Sequence, residues 1–276
     1  QRKNLTRLQF GVVHPYSAHN FELRYWLASS GISPQTDVNI TVLPPALMSD
    51  ALHSGQIDGF CVGEPWNSVA VDRGAGKIIT TKSAIWAASP EKVLAVNAQW
   101  ATENQASLTA LLRALYEAAA WCGEKNNADK LASLLAQPRY LDLKKHLILP
   151  ALTNTILPDH GAARFFEPFA FAATFPWQSH ALWLYSQMAR WGQVKHSPHH
   201  AEVARQSFRP DLYRDALSPY GISVPSANSK MEGTSSAATT LDAANQPLFM
   251  APGGFFDGAI FDPDQIDAYI AAQLIA

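Results

Sequence analysis

Three residues of this chain have the types and spacing to meet a small anion: His19, Gly63 and Lys92. Gly63 lies in the stretch Phe60–Asn67, F-C-V-G-E-P-W-N, an apolar run that ends in glycine, acid, proline and tryptophan. That order predicts a buried strand handing over to a helix, with backbone exposed at the junction. Glycine permits a dihedral or a close approach that a side chain would block, and proline suits the first turn of a helix. A helix N-terminus offers free N–H groups and a positive dipole end, so a small anion can dock there. His19 follows the turn V-V-H-P-Y-S-A-H-N and falls in the first turn of another predicted helix, where an imidazole can donate to such a ligand. Lys92, in S-P-E-K, ends a loop and opens a predicted strand. A lysine aimed into a cleft is a point-charge anion ligand. Each residue alone has a plainer reading: a tight turn, a histidine packed at a helix start, an exposed lysine. Together they can line one edge of a parallel sheet, where ligands of open α/β sheets bind.

Other chemistry is thinly supported. Glu64, beside Gly63, is placed to act as a general acid or base, but an acid at a helix start also simply complements the dipole. No second carboxylate is near it in sequence. Glu64 and Trp66 are candidates for contacts just outside the ligand. The sequence contains no G-x-S-x-G elbow, phosphate-binding loop or G-x-G-x-x-G, and no H-E-x-x-H or C-x-x-C. The nine histidines lack metal-like spacing; His199 and His200 read as solvated residues in a polar stretch between helices, and His14 flanks the first turn. Cys61 and Cys122 are expected to be buried free thiols. Gly253 and Gly254 read as a turn. No cofactor and no metal are expected.

The elements that must position these residues alternate in type. Leu8–Val13, Val38–Leu43 and Ile57–Val62 read as strands, and so do Lys77–Thr81 and Lys92–Val96. Ser17 caps a helix to about Ser30 with Gly31 after it. Pro45 opens a short helix closing near Gly55, and Glu64–Gly74 is a third. This alternation predicts βαβ units and a mainly parallel sheet. From Ser107 the spacing of Leu108, Leu111, Leu112, Leu115, Ala119 and Cys122 predicts a long amphipathic helix to Gly123, and Ala128–Ala136 predicts another. Residues 138–176 read as irregular and aromatic-rich, with Phe165, Phe166, Phe169, Phe171 and Phe175. Ser179 is expected to cap a helix to about Trp191, closed by Gly192. From Ser218 the Ser, Ala, Asn, Gly and Pro content predicts loose packing, with apolar residues returning at Phe255–Ile275.

At 276 residues and 47% hydrophobic the chain can bury a sizeable core as one large or two small domains. A net charge of −2 gives no footprint for direct nucleic-acid or membrane-surface binding. No apolar run is long enough for a transmembrane segment.

Several motifs together resemble the nitrate- and bicarbonate-binding proteins of bacterial ABC importers and the related cytoplasmic nitrate/nitrite sensors. They are F-C-V-G-E-P-W-N at Phe60, H-N-F-E-L-R-Y-W-L at His19, V-L-P-P at Val42, S-P-E-K at Ser89, F-P-W-Q-S-H-A-L-W at Phe175, R-W-G at Arg190 and F-F-D-G-A-I-F-D-P at Phe255. The resemblance implies an α/β fold like the type II periplasmic binding proteins, with the ligand in a cleft between lobes. It places the family's ligand histidine, glycine and lysine on His19, Gly63 and Lys92. Bicarbonate-binding members carry an acidic residue at the last position that helps to hold calcium, so Lys92 points to nitrate or nitrite. Bicarbonate or another small anion is the alternative, and an enzyme on the same fold is an alternative of another class.

The same resemblance implies a chain that starts just before the second lobe: residues 1–104 form that lobe, 105–217 a helical segment returning to the first, and 218–276 an extended C-terminal tail. One complete lobe plus the C-terminal part of the other would leave apolar surface bare and favour association. The implied partner is the permease of an ABC importer or, for a sensor, an RNA-binding antiterminator protein. Tyr16, Ser17 and Ala18 stand where importer subunits often carry a glycine pair and a threonine, which points to the sensors. Location would follow: cytoplasmic for a sensor, periplasmic or membrane-associated for an importer subunit.

Overall fold

The computed structural model describes residues 7–159, 173–235, 237–241 and 247–275. In chain order the elements are β1 (Leu8–Val12), α1 (Ala18–Ser29), β2 (Val38–Val42), α2 (Met48–His53), β3 (Gly59–Cys61), α3 (Trp66–Asp72), α4 (Lys82–Ile85), α5 (Ala98–Glu103) and α6 (Gln105–Gly123). Then come α7 (Ala128–Leu135), α8 (Lys145–Thr153), α9 (Gln178–Arg190), α10 (Pro198–Ser207), α11 (Pro210–Leu217), β4 (Thr239–Leu241), β5 (Leu248–Met250) and α12 (Ile266–Ile275). The chain divides into two units, residues 1–85 with 128–165, and residues 86–127 with 166–276.

In the first unit the strands form one parallel sheet in the order β2-β1-β3, with Phe10 opposite Ile40 on one side and Gly59 on the other. Side chains alternate across a strand, so Phe10 and Val12 face one way and Gly11 and Val13 the other. On the first face Leu23 and Leu27 of α1 close over Val12 and Val38. On the second, Met48 and Ala51 of α2 pack with Ile57 against Val13 and Phe60. A Cβ at Gly11 would come within 2.8 Å of Met48 Sδ, so α2 sits this close only because Gly11 has none. Burying each of these aliphatic side chains contributes about 1.5–3 kcal/mol, and helices on both faces hold the sheet. α8 is tied to α3 by His146 Nε2 and Asp72 Oδ1 at 3.3 Å.

The second unit is mainly helical around an aromatic centre. Trp86 and Trp183 are fully buried, their ring centroids 4.7 Å apart, and Phe255 stacks on Trp86 at 4.8 Å. Arg113 of α6 donates through Nε to the Ala216 carbonyl of α11 at 2.9 Å. Beneath the aromatic rings lies the Glu232 carboxylate, fully buried. It accepts from Ser179 Oγ at 2.7 Å and from Lys230, with His180 Nε2 at 3.4 Å.

Several sequence expectations are corrected. Residues 77–81 and 92–96 carry no strand and join no ladder among the described residues. Val93, Leu94 and Val96 are exposed, so no face of that segment is buried to fix a pairing register. Residues 138–176 are not wholly irregular, since α8 runs through them with Pro150 inside it. The phenylalanines 165, 166, 169 and 171 lie outside the described residues. Ser179 is not the cap of α9; Trp177 occupies that position, and Ser179 turns inward to Glu232. His199 and His200 are exposed as expected, but they sit in the first turn of α10, not between helices. Packing after residue 218 is not uniformly loose, because Glu232 and Leu248 are buried, and the apolar residues that return at Phe255–Ile275 include the buried Phe255, Phe261 and Ile270. Pairing of Glu232 with Phe261 through two 2.9 Å backbone hydrogen bonds supplies the order that composition does not reveal.

Candidate functional site

β1 is the central strand of the sheet and β3 its neighbour, with Val12 opposite Cys61, so the chain leaves both strands at the same edge. From β1 the chain passes through α1 to β2 on one side, whereas β3 lies on the other. The strand order therefore reverses between β1 and β3. Open parallel sheets bind ligands in the crevice outside the strand ends at such a reversal.

Two of the sequence candidates stand at this edge. Ser17 caps α1: its Oγ accepts from Asn20 N at 3.2 Å and donates to the His14 carbonyl at 2.8 Å. Asn20 Nδ2 donates to the Pro15 carbonyl at 2.7 Å, and Arg24 Nε donates to Asn20 Oδ1 at 3.0 Å. These bonds fix the first turn of α1 and with it His19, which is buried. His14 remains exposed against the ring of Tyr16. Gly63 follows β3 by two residues. A Cβ built on it would meet one neighbour within 4 Å, the His19 Nε2 at 3.8 Å. Among the described residues no acceptor takes the Gly63 N–H. The His19 ring nitrogen thus faces the side of Gly63 from which a side chain is missing.

That geometry corrects two expectations about Gly63. A methyl would fit at ordinary van der Waals distance, and Gly63 is not among the glycines with positive φ. Neither crowding nor backbone conformation requires glycine for folding. The helix after it is also shorter than expected: α3 starts at Trp66, spans seven residues, and has Pro65 as its cap, which carries no N–H. Its dipole adds little, and α1 supplies the longer helix start.

Glu64 turns back onto α3. Its Oε2 accepts from Ser68 N at 3.2 Å and from Ser68 Oγ at 2.9 Å, and the Glu64–Pro65 peptide is cis. Burial raises its pKa above the usual carboxylate range, against the opposing hydrogen bonds from Ser68 and Asn67. Trp66 is half-buried at the first position of α3. Lys92 belongs to the second unit, where its ammonium is largely exposed and pairs with Glu91.

Sequence reasoning missed Glu22 and Lys82. Glu22 lies on α1 one turn after His19, is 1% exposed, and its Oε1 stands 3.3 Å from Lys82 Nζ of α4. The signal was present, since a glutamate three residues beyond His19 shares its helix face. In the second unit a cavity of about 510 Å³ is lined by Tyr116, Phe175, Tyr213 and Phe249 among others, none of them charged. That lining suits an inorganic anion less well than the His19–Gly63 corner.

The chain resembles known proteins along nearly its whole length. Residues 1–136 match the NMT1-like family. A nitrate import ATP-binding protein, NrtC of Synechocystis sp., is 37% identical over 94% of this chain and 36% of its own length. The nitrate/nitrite binding protein NrtA of Synechococcus elongatus is 32% identical over 95% of this chain and 56% of its own length. Bicarbonate transport ATP-binding proteins are among the other relatives. The crystal structure of the periplasmic nitrate-binding protein NrtA from Synechocystis PCC 6803 superposes with a TM-score of 0.83 at 26% identity, over 98% of this chain and 67% of that one. The chain spans between about a third and just over half of the length of these curated relatives. Its fold is that of the periplasmic binding proteins, and over nearly its whole length it is similar to nitrate- and bicarbonate-transport proteins.

Proposed function

We propose that this chain binds nitrate or nitrite without transforming it, as the substrate-binding part of an ABC-type importer. The observation that carries the reading is the open space between His19 Nε2 and Gly63 at the β1–β3 edge. An anion oxygen there meets a ring N–H and a backbone N–H, two donors suited to a planar oxyanion. Lys92 is proposed as a further ligand on the strength of the motif resemblance, and its charge neutralises a monovalent anion without a metal. Glu64 is committed to Ser68 and has no partner for acid–base work, which supports binding over catalysis. The permease of such an importer is the proposed partner. An antiterminator partner rests on Tyr16, Ser17 and Ala18 alone.

Calorimetric titration with nitrate, nitrite and bicarbonate, the last with and without calcium, tests the reading. Nitrate or nitrite is expected to bind, and His19→Ala and Lys92→Ala each to weaken it about tenfold to a hundredfold, the loss of one charge-assisted contact. Saturable binding of bicarbonate alone would replace the reading, and unchanged affinity in both variants would end it.

A further inference from the structure

We infer that Glu22, paired with Lys82 and one helical turn from His19, is a positioning residue that holds the proton on that imidazole while the anion binds. The inference rests on the nitrate reading and adds to it a partner for the ligand histidine and a proton linkage.

Residues three apart on a helix have their Cβ atoms about 5–6 Å apart and share a face. His19 and Glu22 stand in that relation, and both are buried, at 6% and 1% exposure. A buried carboxylate is tolerated only when paired. The Lys82 ammonium 3.3 Å away supplies one counter-charge, and a protonated His19 on the same helix face supplies another. An ionised carboxylate close to an imidazole in a shielded site favours the imidazolium. An imidazolium donates from both ring nitrogens, whereas a neutral ring has an acceptor nitrogen that would repel an anion if aimed at it. With Glu22 and Lys82 cancelling, the positive charge of His19 is the one left for a monovalent anion to neutralise.

The other charged groups around His19 do not displace Glu22 from this role. Arg24, on the same helix, is five residues from His19, off its face, and donates to the neutral Asn20 side chain. Glu64, from the corner after β3, is turned onto Ser68, and burial favours its neutral acid. Cys61 on β3 carries a free thiol. His14, ahead of α1, is exposed.

The test is a nuclear magnetic resonance titration of the His19 ring in the unliganded full chain, with nitrate calorimetry beside it in two buffers of different ionisation enthalpy. In Glu22→Gln, a near-isosteric change, His19 is expected to lose its proton at a lower pH than in the wild type. In Lys82→Met it is expected to hold its proton to a higher pH. Nitrate affinity in Glu22→Gln falls at least tenfold at pH 8 and recovers on acidification, with proton uptake visible as a buffer-dependent heat. A His19 titration unmoved by Glu22→Gln overturns the inference. So does a fall of equal size in both variants, which marks a general disturbance of the helix. The ring titration needs no ligand, so a wild-type chain that bound no nitrate would count against the function proposed above and leave this result readable.

Discussion

Replacing Gly63 separates folding from binding more sharply than any other change at this site. The ideal Cβ position lies 3.8 Å from His19 Nε2 with no other atom within 4 Å, so Gly63→Ala meets no clash. Because φ at Gly63 is not positive, alanine also removes freedom from the unfolded chain. Such a change typically stabilises by about 0.4–1 kcal/mol. An anion oxygen bonded to both Nε2 and the Gly63 N–H must sit about 2.9 Å from each. Alanine keeps the N–H, but its methyl stands 3.8 Å from Nε2 and narrows the approach to that ring nitrogen, since carbon contacts settle near 3.5 Å. Weakening the contact to that ring nitrogen is expected to cost up to about 1.5–3 kcal/mol, or roughly tenfold to a hundredfold in affinity. Gly63→Val fills the gap and is expected to abolish binding. The assay pairs a thermal melt with nitrate calorimetry on each variant. The expected pattern is an unchanged or slightly higher melting temperature with weakened binding in Ala and none in Val. Wild-type affinity in Gly63→Val would refute the reasoning, because the space in front of His19 would then hold no ligand.

Three further outcomes are expected. Trp86→Ala removes a fully buried ring packed against Trp183 and Phe255, and urea unfolding should show a loss of about 3–5 kcal/mol; a loss under 1 kcal/mol would mean that the aromatic centre can collapse around the gap. Lys230→Met strips Glu232 of its ammonium partner and should destabilise by about 3 kcal/mol at neutral pH. Burial raises the Glu232 pKa, so its folded state favours the protonated form, and the deficit should shrink as pH falls towards 5 and grow as pH rises; equal deficits at pH 5 and 8 would contradict this. Glu64→Gln should be neutral or stabilising at pH 7, because the wild-type carboxyl, its pKa raised by burial, contributes stability at low pH that is lost as pH rises through its folded pKa; marked destabilisation at pH 7 in a urea titration would show that its ionised form is needed by Ser68.

The sheet was legible because its strands are punctuated by residues with one local job. Ser17 caps α1, and Gly31, Gly55 and Gly74, all with positive φ, close α1, α2 and α3 as their spacing predicts. Such signals act within a few residues and need no tertiary partner. The failed strands at 77–81 and 92–96 had β-forming composition but join no ladder among the described residues, and a strand is defined by its neighbour. Phe255 and Phe261 show the converse. They stand where apolar residues return after a Gly- and Pro-rich stretch, and they are buried through pairing with residues at positions 86 and 232, which composition does not name. Composition measures average hydrophobicity, and a few well-placed rings can organise a stretch whose average is low.

The place of Gly63 in the fold is set by something other than the turn chemistry around it. Gly63 was read as a crowded corner and a helix N-terminus, and it is neither. Its significance lies in the strand order: β2-β1-β3 brings the ends of β1 and β3 together, and no local pattern in the sequence specifies that order. Once it is known, a histidine in the first turn of α1 and a glycine two residues beyond β3 stand at the same end of the sheet. Glu22 escaped notice because a carboxylate inside a helix reads as a surface residue until its burial is seen. The 1% exposure of Glu22 and its 3.3 Å approach to Lys82 convert it from solvated decoration into a fixed charge. A fixed negative charge beside a residue proposed to bind an anion must act through something else, and the imidazole of His19 is the group on its own helix face that can carry that effect.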